Sequence, residues 1–134
     1  MISLTGWLVL VEEDRLEKVI DKEGIGSDEI RPPAALKKED EIFLGTSAEN
    51  RVRVIGLFQV TSVSEEGIDL KPEIHLTQKL LELQASEIKG LKDIKELPER
   101  GIYSLGPEDY DKLREGLERL GMEESMGAGL TIPG

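Results

Sequence analysis

His75 is the only histidine in the chain. An imidazole titrates near neutrality and works as a general base when a second group orients it. No such partner is legible beside it, and its place between Ile74 and Leu76 in a strand-like run turns it toward solvent. Carboxylates gather at Glu12-Glu13-Asp14 and at Glu39-Asp40-Glu41. Paired carboxylates can hold a divalent cation or move a proton. Both runs fall at the edges of regular elements, where charge is normally solvated, and the first also suits the positive end of a helix. Cysteine is absent, which excludes disulfides, thiolate nucleophiles and cysteine-ligated metals. There is no GxxxxGK[ST] phosphate loop, no GxGxxG after a strand, no HExxH and no GxSxG elbow. Gly127-Ala128-Gly129 follows no strand and so is not read as a phosphate loop. The chain is therefore expected to be non-catalytic, with no cofactor and no metal.

Two residues leave more room for binding. Trp7 is the only tryptophan and lies in the first apolar run. It is either core or the stacking wall of a pocket for a planar heterocycle. Gly56 interrupts the longest strand-like run, which marks a bulge, a barrel bend or a close backbone approach. Basic residues recur at Arg51, Arg53, Lys89, Lys92, Lys95 and Arg100, a stripe able to follow a phosphate backbone. Glu87, Asp93, Glu96 and Glu99 are interleaved with it.

Apolar periodicity then supplies the elements that must position these groups. Residues 2–11 predict a strand. Residues 12–23 predict a helix, with Leu16, Val19 and Ile20 on one face and Gly24 as its stop. Residues 24–40 predict a loop held extended at Pro32-Pro33. Residues 41–46 and 51–63 predict a hairpin across a turn at 47–50. On the second strand, Val52, Val54, Phe58 and Val60 are expected on one face, and Arg51, Arg53, Ile55, Leu57 and Val63 on the other. Residues 68–76 predict a further strand, and Thr77 a cap for a helix over 78–84. Residues 101–105 predict a short strand. Pro107, Glu108 and Asp109 open a helix whose buried stripe is Tyr110, Leu113, Leu117 and Leu120, with Gly121 as its end. This order predicts one α+β domain over residues 1–121, a mostly antiparallel curled sheet or barrel with flanking helices, and a tail over 122–134.

The 134 residues carry 17 basic and 28 acidic side chains, a formal charge of −11. Such a balance repels nucleic acid at long range unless a local basic groove compensates. No run is long or apolar enough for a membrane span or a signal peptide core, so no membrane is expected and the cytoplasm is the expected compartment.

The ordered set of segments over about residues 6–120 resembles the EVE domain, a member of the PUA-like superfamily. Gly6-Trp7-Leu8-Val9-Leu10-Val11 resembles that family's first strand. Leu36 to Leu44 resembles its "L-x-K-x-G-D" entry to a strand. Val54 to Ser62 resembles its most typical segment, and Leu105 to Tyr110 its closing helix start. The resemblance implies a mixed barrel that takes a modified or flipped base of RNA or DNA into an aromatic-lined pocket, with Trp7, Arg31, Ile55, Gly56 and Leu57 around it. The sequence departs from the family at a second tryptophan, replaced by Gly24-Ile25-Gly26, at a later aromatic, replaced by Gly101-Ile102, and at the glycine of "GD", which is Glu39.

The leading expectation is thus a nucleic-acid-binding module. The alternative is a protein-interaction or oligomerisation domain that has kept the barrel and lost the nucleic acid, with the apolar tail Leu130-Thr131-Ile132-Pro133 packing on a neighbour. A third reading is a nuclease of the related ASCH type.

Overall fold

The computed structural model describes residues 6–130, with side chains through residue 124. Residues 2–5 of the first predicted strand and Thr131, Ile132 and Pro133 of the tail lie outside the described residues.

The chain runs β1 (Gly6–Leu10), α1 (Glu13–Lys22), β2 (Gly24–Gly26), β3 (Glu41–Ala48), β4 (Arg51–Ser64), β5 (Gly67–His75), β6 (Leu81–Gln84), two 3-10 turns, β7 (Gly101–Leu105) and α2 (Pro107–Leu130). The seven described strands form one sheet in the order β2-β5-β4-β3-β1-β7, with β6 paired to the first half of β4. Only β1–β3 is parallel; the other pairs are antiparallel. β7 and β2 end the path without pairing to each other, so the fold is an α+β half-barrel built on a curled mixed sheet.

β1 is buried at every position because both faces of the sheet are covered. Trp7, Val9 and Val11 enter one core with Ile42, Leu44, Phe58, Val60 and α1, through Val19. Leu8 and Leu10 enter the other with Phe43, Val52, Val54, Leu57 and α2, through Leu113 and Leu117. Each fully buried leucine contributes about 2–3 kcal/mol through apolar area removed from water.

Four expectations about element type and bounds need correction. Residues 81–84 form strand β6, not a helix capped by Thr77: Leu81 and Leu83 turn inward while Glu82 faces Arg51 and Arg53. That is a period of two, and pairing with β4 satisfies the backbone. The 24–40 segment is not all loop, because Gly24–Gly26 pairs with β5. The first helix ends on Glu23 in the left-handed region, at φ 53°, one residue before the expected glycine. Gly121 does not end the second helix, which continues to Leu130; at Gly121 the helix still lies over Ile74 and Leu76.

The face assignment along β4 also breaks in the middle. Leu44 pairs with Gly56 but Gly45 pairs with Val54, so Ile55 is an extra residue. This bulge inverts the phase. Val52 and Val54 lie in one core, and Phe58 and Val60 in the other. Beside the bulge, a Cβ at Gly56 would collide with the carbonyl oxygen of Ile74, so the glycine serves a close approach of β5.

Candidate functional site

Trp7 is 6% exposed. Its indole Nε1 donates to Asp40 Oδ2 at 3.0 Å, and Asp40 is itself 2% exposed. The same carboxylate oxygen accepts the Lys37 backbone N–H at 3.1 Å. The ring is a structural member of the core, with its one donor satisfied, and offers no free face for stacking. Leu57 lies across the sheet from Trp7, in the opposite core. Ile55 packs against the Trp7 core, and its carbonyl accepts from Leu76 N. The structure therefore does not gather Trp7, Ile55, Gly56 and Leu57 around one pocket: Ile55 shares the Trp7 core, while Leu57 lies on the other side of the sheet. Arg31 stands apart. It lines an open cleft of about 800 Å³ with Ser27, Pro32, Pro33, Leu36, Val63, Ser64 and others. Among the described residues no ion pair reaches it.

The basic stripe is dispersed among acids. Arg51 and Arg53 both face Glu82, at 3.0 and 3.8 Å. Lys89 pairs with Glu108, and Arg100 with Glu12 at 3.6 Å. Lys92 is exposed, with no ion pair among the described residues. The sequence could not show this, because the neutralising acids Glu12, Glu82 and Glu108 are up to 88 positions away from the bases they face.

His75 ends β5 on the exposed side, as expected, with its ring tilted toward Phe58 at 6.2 Å. Among the described residues, no group of three or more His, Asp or Glu side chains is placed to hold a metal.

The acids collect instead around a second hollow of about 700 Å³. It is lined by Glu12, Glu13 and Asp14 at the start of α1, by Ser47, Ala48 and Glu49 at the β3–β4 turn, and by Leu97 and Glu99 of the segment before β7, with Val11. Its walls are fixed. Ser47 Oγ donates to the Pro98 carbonyl at 2.7 Å, and Asn50 Oδ1 accepts from Leu97 N at 3.1 Å. The turn itself is left-handed at Glu49 and Asn50, at φ 52° and 61°, the geometry of a tight hairpin. Five carboxylates thus share the lining with the apolar side chains of Val11, Ala48 and Leu97.

A third polar group is half-enclosed under α2. Glu41, 3% exposed, accepts the Tyr110 hydroxyl at 2.6 Å and Arg114 Nη1 at 3.1 Å. Arg114 also reaches Glu118 at 2.9 Å and Glu73 at 3.8 Å. Burial, then the hydrogen bond and charge of Glu41, hold the Glu73 carboxyl above the usual carboxylate range. Burial and the hydrogen bond to Glu41 push the Tyr110 phenol up to about 12. Every member has a partner within the group, so the cluster reads as a clamp between α2 and the sheet. No family model matches the chain, and no curated protein matches it.

Proposed function

We propose that the chain is a non-catalytic binding module with a PUA-like barrel architecture, and that its ligand is a cationic segment of a partner protein. The observation that carries this reading is the acidic hollow between α1, the β3–β4 turn and Leu97–Glu99. Its carboxylates match an ammonium or guanidinium head, and Val11, Ala48 and Leu97 match the aliphatic stem of lysine or arginine. The formal charge of −11 steers a basic partner inward and a polyanion away. Isothermal titration with a lysine- and arginine-rich peptide tests it. Binding that weakens steeply between 50 and 500 mM salt, on the order of tenfold or more, is expected from screening of exposed charge. No heat at any salt overturns the reading.

A second reading keeps the nucleic acid and moves it. Arg31 has no ion pair among the described residues and lies beside the apolar wall of Pro32, Pro33 and Val63. A phosphate on Arg31 with a base against that wall is the form in which the EVE-like expectation survives the burial of Trp7. Backbone amide shifts around Ser27–Leu36 on addition of a short single-stranded oligonucleotide would favour it; shifts confined to the acidic hollow with the basic peptide favour the first.

A further inference from the structure

Between β5 and β6 the chain bends at Thr77–Lys79, and three successive backbone N–H groups converge on one carboxylate. Glu124 Oε1 accepts from Thr77 N at 3.1 Å, Gln78 N at 2.5 Å and Lys79 N at 2.7 Å, while Oε2 takes Thr77 N at 3.2 Å. No backbone carbonyl takes these three amides among the described residues. Consecutive amides aimed at one point form an anion-binding concavity with fixed partial positive charge. The occupant here belongs to the chain itself, 45 to 47 residues downstream, on the part of α2 that continues past the buried Leu113 and Leu117. Lys79 adds its ammonium against Glu123 at 3.1 Å.

The same spot carries exposed apolar surface. Leu80, 43% exposed, follows the three amides, and Met122, 65% exposed, precedes Glu124 on α2; these are the large hydrophobic side chains left exposed among the described residues. A self-bound carboxylate flanked by two uncovered apolar side chains is a contact that can open, because little burial holds it shut.

We propose that the Thr77–Lys79 amides are an oxyanion-binding site which Glu124 occupies in cis, so that the end of α2 is a displaceable plug over a site for a phosphate or carboxylate group. The backbone hydrogen bonds, that of Gln78 first, also hold the Glu124 carboxyl below its ordinary range, as a bound anion in such a concavity requires. The inference is independent of the acidic hollow, which adjoins the β3–β4 turn at the start of β4, whereas Thr77–Lys79 lie beside Val54–Gly56.

The test is a titration of the full chain followed by backbone amide NMR, with inorganic phosphate in one arm and acetate in the other. In Glu124→Ala the amides of Thr77, Gln78 and Lys79 are expected to shift and saturate. In the native chain, competition from the internal carboxylate raises the concentration needed at least about tenfold. The arm that saturates at lower concentration identifies phosphate or carboxylate as the preferred group. A well-dispersed variant spectrum in which these amides ignore both anions overturns the proposal, and so does equal affinity in variant and native chain. Should the alanine variant not fold, the native chain decides. The Glu124 side-chain carbon and the three amides are expected to titrate together with one low midpoint. An ordinary Glu124 midpoint with silent amides overturns the site.

Discussion

The indole N–H of Trp7 and the carboxylate of Asp40 are 33 residues apart in sequence and 3.0 Å apart in space, both inside the core. This bond ties β1 to the chain just before β3, and it converts the residue most suggestive of ligand stacking into a structural one. Asp40→Ala leaves the indole donor without its partner. A loss of about 1–3 kcal/mol in denaturant unfolding is expected, the desolvation penalty of one orphaned buried group. Because Trp7 is the only tryptophan, its fluorescence reports the site directly. Native emission should be blue, resistant to iodide, and unchanged by nucleosides; the variant should be red-shifted.

Glu39, the residue before Asp40, has φ 80°. That is the left-handed region, where a side chain is strained and glycine is not. It is also the position at which the EVE-like pattern carries glycine. Glu39→Gly is expected to stabilise the fold by about 0.5–1 kcal/mol, the strain relieved less the added freedom of the unfolded chain. A thermal midpoint lower than that of the native chain would contradict this.

The strands were readable where one physical signal dominated. β1, β3 and β7 carry short apolar runs bounded by turn residues, β5 opens with apolar–polar alternation after a glycine turn, and the start of α2 carries proline and acids in its first turn. β6 misled because Leu80, Leu81 and Leu83 fit two periodicities over so few residues. Its strand state is decided by β4, about thirty positions upstream. The phase change in β4 was only half legible. Gly56 announced an irregularity, but which residue is extra depends on the register against β3. The candidate sites were less legible still. An acidic hollow closed by residues 11–14, 47–49 and 97–99, and the clasp of Glu124 on Thr77–Lys79, exist only once distant segments meet.

Glu73 is the extra residue of a bulge in β5, since Leu57 pairs with Ile74 and Phe58 with Pro72. The bulge brings it toward Glu41, and burial with that neighbour raises its pKa above 4.5. A raised acid favours the folded state while protonated. Its contribution is therefore present below the unfolded value and lost as pH rises through the folded one. Glu73→Gln imitates the protonated form. It should raise the thermal midpoint at pH 7, by less than about 1 kcal/mol in stability because the group is partly solvated. The two proteins should converge below pH 4.5, the ordinary glutamate value. A gap that persists unchanged in acid would rule out this cause.

Tyr110 joins α2 to Glu41 and is held protonated up to about 12, against 10.0 for an ordinary tyrosine. Between these values the unfolded chain has lost the phenolic proton and the folded chain keeps it. Stability must therefore fall as pH rises through that window. In Tyr110→Phe the slope in this window should flatten. At neutral pH the variant should lose about 1–2 kcal/mol, because Glu41 is left with Arg114 as its remaining side-chain donor. Equal alkaline slopes in the two proteins would place the phenol outside the clamp.

The acidic hollow gives the sharpest separation of structure from binding. Glu13, Glu49 and Glu99 line it and appear in none of the ion pairs described, whereas Glu12 is engaged by Arg100. Replacing the three by glutamine removes charge from the rim while keeping its shape, and surface changes of this kind usually alter stability by no more than about 0.5 kcal/mol each. The triple variant should therefore unfold near the native midpoint. Its affinity for a basic peptide should nevertheless drop at least about tenfold at low salt, with little further loss on adding salt. Native-like affinity in the variant would move the basic partner to another face, and weakened binding with an unchanged salt slope would mean that shape rather than charge holds the ligand.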